Sequence, residues 1–99
     1  MAGFVVARYR VTRPTEFARY IEAVVPTLIA HGAEVVVADN ATTVLEGEAP
    51  PTTIVLRFES VADARDWYNS PAYQAIRHHR TRNSDMGSVV ITEEYDPGR

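Results

Sequence analysis

Apolar positions follow two rhythms along this chain. Residues 3–11 alternate, with Val5, Ala7, Tyr9 and Val11 on one side and Phe4, Val6, Arg8 and Arg10 on the other, which predicts a strand. Thr12-Arg13-Pro14-Thr15-Glu16 then opens a helix: Pro is tolerated in a first turn, and an acid there complements the dipole. Phe17, Ile21, Val24 and Leu28 recur at helical spacing with Tyr20 beside them. Pro26 interrupts this pattern and is expected to kink or split the helix near Val25, and His31-Gly32 ends it. Residues 34–38 predict a second strand, with Val35 and Val37 on one face and Glu34 and Val36 on the other. After the Asp39-Asn40 turn, Thr42–Glu46 reads as a short extended segment closed by Gly47, and Pro50-Pro51 cannot lie inside a ladder. The third strand is 53–59, with Ile54, Leu56 and Phe58 set against Val55, Arg57 and Glu59.

Residues 54–80 are the most informative stretch. Ser60 caps a helix, with Asp63 in the place of a capping-box acid and Val61, Ala64, Trp67 and Tyr68 as its inner stripe. Ser70-Pro71 restarts a helix, with Ser as cap and Pro in the first position. Tyr73, Ile76 and Arg80 continue at helical spacing, with His79 on the boundary. Asn83–Gly87 reads as a loop, and 88–95 as the last strand, with Val89 and Ile91 opposite Val90 and Thr92. The order strand, helix, strand, strand, helix pair, strand implies an α+β, ferredoxin-like βαββαβ fold. It places a four-stranded antiparallel sheet in the order 4-1-3-2 with both helices on one face.

One set of strand faces is almost wholly apolar and belongs under the helices. The other mixes Phe4, Val6, Val55 and Val90 with Arg8, Arg10, Glu34, Arg57 and Glu59. That face is too apolar for open water and too charged for a dry core. A second copy laid sheet to sheet would cover it, enclosing a partly polar cavity. The expected strand order makes Arg8 and Arg57 neighbours there, and an inward pair of arginines suits a carboxylate or enolate. The competing reading is that Glu34 and Glu59 neutralise them.

Size and composition narrow the classes. The chain has 99 residues, one domain's worth. It lacks Cys, so thiolate chemistry, disulfides and Cys-type zinc sites are excluded. All ten basic residues are Arg, which removes any lysine Schiff base. A net charge of −3 argues against nucleic-acid binding. No run reaches the ~18 apolar residues of a membrane span, and the N-terminal apolar run is too short for a signal peptide. A cytoplasmic protein with neither nucleic-acid nor membrane partners is the expectation.

Leu45-Glu46-Gly47, Phe58-Glu59-Ser60, Ala64, Trp67-Tyr68, Ser70-Pro71, Tyr73-Gln74-Ala75 and Arg80 together resemble the pattern of the domain-of-unknown-function 1330 family. Arg8, Pro14, Phe17 and Tyr20 fit it more loosely. The resemblance implies a ferredoxin-like homodimer of the dimeric α/β-barrel kind, and no established reaction. Other proteins of that architecture include cofactor-free monooxygenases, muconolactone-type isomerases, polyketide cyclases and haem-binding enzymes, so the fold selects none. The chain departs from the family pattern at His78-His79 and at Glu93-Glu94-Tyr95.

The candidate chemistry is sparse. Arg8, Arg57 and Arg80 are the ligand-binding candidates; Arg80 could instead tie to a carboxylate such as Asp85. His79, Tyr68 and Tyr73 are the candidates for proton transfer. Against these stand plainer roles: His78 and His79 complementing a helix C-terminus, and the tyrosines as core residues with satisfied hydroxyls. Adjacent histidines diverge by about 100° on a helix and do not chelate one ion well, so no metal site is expected. No nucleophile elbow, phosphate loop or dinucleotide fingerprint is present. The reading is a homodimer binding an apolar, acidic small molecule without a cofactor, with isomerase, cyclase or cofactor-free monooxygenase chemistry as its enzymatic form. The alternatives are a non-catalytic ligand-binding or interaction module and, third, a haem protein.

Overall fold

A computed structural model describes residues 1–98. β1 (Gly3–Val11) leads into α1 (Pro14–Ala30), β2 (Glu34–Asp39) and β3 (Thr52–Phe58). α2 (Val61–Asn69), α3 (Pro71–Ile76), the single turn α4 (His78–Thr81) and β4 (Ser84–Glu93) complete it. The strands are antiparallel in the order β2-β3-β1-β4. The expected ferredoxin-like topology is therefore present.

Local signals do what their chemistry requires. Ser60 Oγ accepts from the Asp63 amide at 3.0 Å, and Ser70 Oγ from the Tyr73 amide at 3.2 Å, with Pro71 leading α3. α1 closes on Gly32 at φ +66°, where the Ala33 amide returns to the Leu28 carbonyl. Gly3 is needed for a different reason. A Cβ there would lie 2.5 Å from the Val61 nitrogen and 2.6 Å from the Ser60 carbonyl, so the start of α2 rests directly on β1.

Several expectations are corrected. α1 is not split at Pro26; it runs unbroken to Ala30, because Val24, Thr27 and Leu28 are held in the core while Pro26 sits on the exposed side. In the same helix Tyr20, not Ile21, turns inward: Tyr20 is buried and Ile21 half exposed. The second helical run breaks at Arg77 instead of continuing to Arg80. Finally, β4 begins at Ser84, four residues before the expected start, through an irregularity at Met86, which adopts φ +55°. Residues 42–46 form no strand; the 40–51 connection is closed at its neck by Thr42, whose amide and hydroxyl both reach the Pro51 carbonyl.

A second irregularity, in β2, redistributes side chains. Val35 pairs with Leu56, but Val37 pairs with Val55 and Ala38 with Ile54. One extra residue has been inserted, so Val37 leaves the helix face and Ala38 takes its place. On the far face the register now aligns Val37, Val55, Val6 and Val90 in one row across all four strands. Charged rows flank it, Glu34 and Arg57 beside Phe4 on one side and Asp39 and Arg8 on the other. The mixed face thus separates into an apolar centre and polar margins.

Under the helices, aromatic rings form a continuous chain. Ring centroids step from Tyr9 to Phe17 at 5.3 Å, to Tyr20 at 5.5 Å, to Tyr73 at 6.3 Å, to Trp67 at 4.2 Å and to Phe58 at 5.6 Å. The Trp67 indole donates to Thr27 Oγ1 at 3.0 Å, and Thr27 donates in turn to the Val24 carbonyl, so the buried N–H is satisfied.

Candidate functional site

Among the described residues, the most apolar cavity lies beneath the helices, between α1 and the sheet. A cavity of about 190 Å³ is bounded below by Val5, Ala7 and Tyr9 of β1, Val35 and Ala38 of β2, Ile54 and Leu56 of β3 and Val89 of β4. Tyr20, Val24 and Leu28 of α1, with Trp67 and Tyr73, form its roof. It exists because α1 packs on α3 and α4 and stands off the sheet, while α2 rests directly on β1.

The lining is apolar apart from one end. There Arg80, 7% exposed, is placed by α4 with its guanidinium carbon 5.9 Å from the centre of the Tyr20 ring. The Tyr20 and Tyr73 hydroxyls are 2.8 Å apart, and Tyr9 also lines this end. Burial pushes the Tyr9 and Tyr20 hydroxyls above the ordinary phenol value, with Tyr73 reinforcing the effect at Tyr20. They are therefore hydrogen-bond donors, not bases. Burial disfavours the charge on Arg80, but Tyr73 and Tyr20 outweigh it and the guanidinium stays protonated. No carboxylate stands within ion-pair distance of Arg80 among the described residues; Asp85 is held by Arg10. No Asp, Glu or His among the described residues lines the cavity.

The structure separates the other residues singled out by sequence. Arg8 and Arg57 are on adjacent strands, but Arg8 stands opposite Thr53 and Arg57 opposite Phe4. Four residues of register divide them, about 13 Å along the strand, so they do not form the expected pair. Both point away from Arg80, which serves the opposite face of the sheet. Tyr73 faces the cavity. Tyr68 lies outside it, in a polar groove with Arg77, Ser84 and Ser88 of which Arg80 is one wall, and its hydroxyl accepts from Arg77 Nη1 at 3.0 Å. His79 is not brought to the cavity at all. It lines a surface groove between α1 and α4 with Arg13, Glu16, Arg19, His78 and Arg82. The adjacent histidine rings do not diverge as expected: their centroids are 4.0 Å apart within the single turn of α4. No group of His, Asp or Glu suited to a metal ion occurs among the described residues.

Two members of this site were not singled out as chemical groups by sequence. Alternation places Tyr9 inward on its strand, and helical spacing places Tyr20 beside the apolar stripe of α1. That their hydroxyls converge with Arg80 depends on packing between distant segments.

The sequence matches the family of the domain of unknown function DUF1330 over residues 2–94. The chain belongs to this family. No curated protein matches this DUF1330 chain. Among solved structures, a protein of unknown function from Rhodopseudomonas palustris is similar with a TM-score of 0.80 at 16% identity, covering 97% of this chain and 84% of that one. A dimeric protein of unknown function and ferredoxin-like fold from Bacteroides fragilis gives 0.64 at 10% identity, covering 94% and 96%. SnoaB, a cofactor-independent oxygenase from Streptomyces nogalater, gives 0.63 at 13% identity, covering 96% and 94%. At these identities the likeness concerns the fold. No helix of the described DUF1330 chain is long and apolar enough to cross a membrane.

Proposed function

We propose that this protein is a homodimer that binds an apolar, acidic small molecule, with its anionic group against Arg80 and its apolar part between α1 and the sheet. The observation that carries this reading is Arg80: a buried guanidinium without a carboxylate, at one end of an otherwise apolar cavity. A buried cation is costly unless something compensates it, and a ligand carboxylate or enolate supplies that compensation. The raised tyrosines add hydrogen-bond donors at the same end of an apolar cavity. The homodimer is supported by the valine row on the far face and by the dimeric neighbour from Bacteroides fragilis. In that dimer Arg8 and Arg57 serve the margins of the interface and not the ligand.

The enzymatic form of this reading is stabilisation of an enolate or phenolate, the anion shared by isomerases, cyclases and cofactor-free oxygenases. Arg80 and the tyrosine hydroxyls would hold that anion, and the resemblance to a cofactor-independent oxygenase supports it. A cavity lining without Asp, Glu or His among the described residues favours substrates that ionise readily, such as phenols and 1,3-dicarbonyls, and equally supports a binder that turns nothing over.

Trp67 is the sole tryptophan and a cavity wall, so its fluorescence reports occupancy directly. Titration with a panel of aliphatic and aromatic acids is expected to give saturable changes that Arg80→Met weakens at least about tenfold, the scale of one charged hydrogen bond. Saturation without loss in Arg80→Met would overturn the assignment. Incubating bound ligands with and without oxygen, followed by mass analysis, separates an enzyme from a binder.

A further inference from the structure

The cavity crosses the strands. Its floor takes residues from β2, β3, β1 and β4 in turn, so it spans the sheet's width, about 14 Å at ~4.8 Å per strand. Its volume of about 190 Å³ is only modestly larger than the ~150 Å³ void that accommodates one benzene. Such a volume drawn out over that length has the width of an alkyl chain, not of a fused-ring system.

The two ends differ. Arg80, Tyr9, Tyr20 and Tyr73 close the end near β1 and β4. At the β2 edge the lining residues reach the surface: Ile21 is 50% exposed, Val25 47% and Val35 54%. Ile21 and Val25 belong to a second apolar stripe of α1, continued by Ile29, which is 73% exposed. These residues are four apart and border the buried stripe of Phe17, Tyr20, Val24 and Leu28 on the side that turns toward solvent. An exposed apolar stripe marks a binding surface, and here it is continuous with the wall of the cavity, so one ligand can cover both.

Resting on the binding reading above, we infer that the ligand is a linear-chain carboxylic acid held head-inward. Its carboxylate meets Arg80 and the tyrosine hydroxyls. Its chain crosses the four strands, and its tail emerges between α1 and β2 along Ile21 and Val25. The site is a channel open at one end, so the protein measures the head group and not the full chain length. Fused-ring acids are excluded by width.

Trp67 fluorescence titration with hexanoate, octanoate, decanoate, dodecanoate and hexadecanoate tests this on the wild-type dimer. Affinity is expected to rise about three- to fourfold per added methylene while the chain fills the cavity, then to level off without falling. Anthracene-carboxylate is expected to bind more weakly than decanoate. The double variant Ile21→Gln/Val35→Gln, at two exposed positions, is expected to weaken dodecanoate and hexadecanoate several-fold and leave hexanoate unchanged. Three outcomes would overturn the inference while leaving the binding reading standing: a sharp fall in affinity beyond a limiting length, tighter binding of anthracene-carboxylate than of decanoate, or a double variant that changes sedimentation but not long-chain affinity, which would assign the stripe to a second copy. Failure of every acid, hexanoate included, would overturn both.

Discussion

Arg10 takes Asp85. Its Nε donates to Oδ1 at 2.8 Å, and Nη2 makes a second bond to Oδ2, a two-pronged pair between β1 and β4 on the far face of the sheet. Asp85 was the acid that sequence offered to Arg80. With that acid engaged, the buried guanidinium keeps its charge for the cavity.

Arg80→Met is expected to fold. Replacing a buried charge by an apolar side chain of similar length is commonly neutral or stabilising, since the desolvation cost disappears with the charge. The melting temperature should stay within about 4 °C of wild type, the shift that corresponds to ~1 kcal/mol in a domain of this size. Differential scanning calorimetry checks it. A much larger drop would make Arg80 a structural keystone of the tyrosine cluster.

Gly3→Ala is expected to be among the most damaging small substitutions. The added methyl meets backbone atoms of Ser60 and Val61, which cannot rotate away, so α2 must lift from β1. Overpacking of this kind costs about 1–3 kcal/mol, and contact with backbone places this case at the upper end. Chemical denaturation should show a clearly lower midpoint, while Gly87→Ala, where an added methyl meets nothing, serves as control.

Val6→Glu is expected to separate the proposed dimer without unfolding the protomer. Val6 stands at the middle of the valine row and contributes nothing to the helix-side core. Losing one buried valine per copy and adding two facing charges should raise the dimer Kd at least about 100-fold. Sedimentation velocity should show monomers, with an unchanged far-ultraviolet spectrum.

Stability should fall as the solution is acidified through neutrality, in part because of His79. Partial desolvation, then His78, Arg19 and Arg82, hold its pKa below the ordinary 6.5; Arg13 and Glu16 complete the groove. The unfolded chain therefore binds a proton there before the folded chain does, and protonation favours unfolding. The penalty is absent above about pH 7 and develops below 6.5, down to the folded-state pKa. His79→Gln should flatten the difference in melting temperature between pH 7.5 and pH 5.5. An unchanged difference would assign the effect to other groups.

Much of the fold was legible because its signals are local. Ser60 and Ser70 cap as their spacing requires, Gly32 adopts the left-handed turn, and the alternation in residues 3–11 and 53–59 sets the strand faces. Other features were not legible, each for a physical reason. The extra residue in β2 turns Val37 to the far side, and alternation carries no warning of an insertion whose residues are all valine. Tyr20 and Ile21 are neighbours on a helix, and which of the two faces inward depends on the roll of α1 against α3 and α4. The irregularity at Met86 let β4 start early and brought Asp85 opposite Arg10.

The candidate site divides along the same line. Arg80 and Tyr73 could be singled out in sequence because Arg80 falls at a position of the family pattern and Tyr73 follows closely on the Ser70-Pro71 break. Their surroundings could not. Tyr9, Tyr20, Tyr73 and Arg80 come from segments far apart in the chain, and only packing decides that their polar ends meet.

The sequence by itself determined the order of elements, the caps and breaks, the antiparallel four-stranded sheet and the presence of two differently built sheet faces, because each depends on residues close together along the chain. Tertiary structure alone decided that Arg8 and Arg57 stand apart, that His79 faces outward, and that the cavity lies beneath α1 with Arg80 at its end. Those outcomes depend on register, on helix roll and on the gap left where α1 stands off the sheet, and these are set by the sum of all long-range contacts.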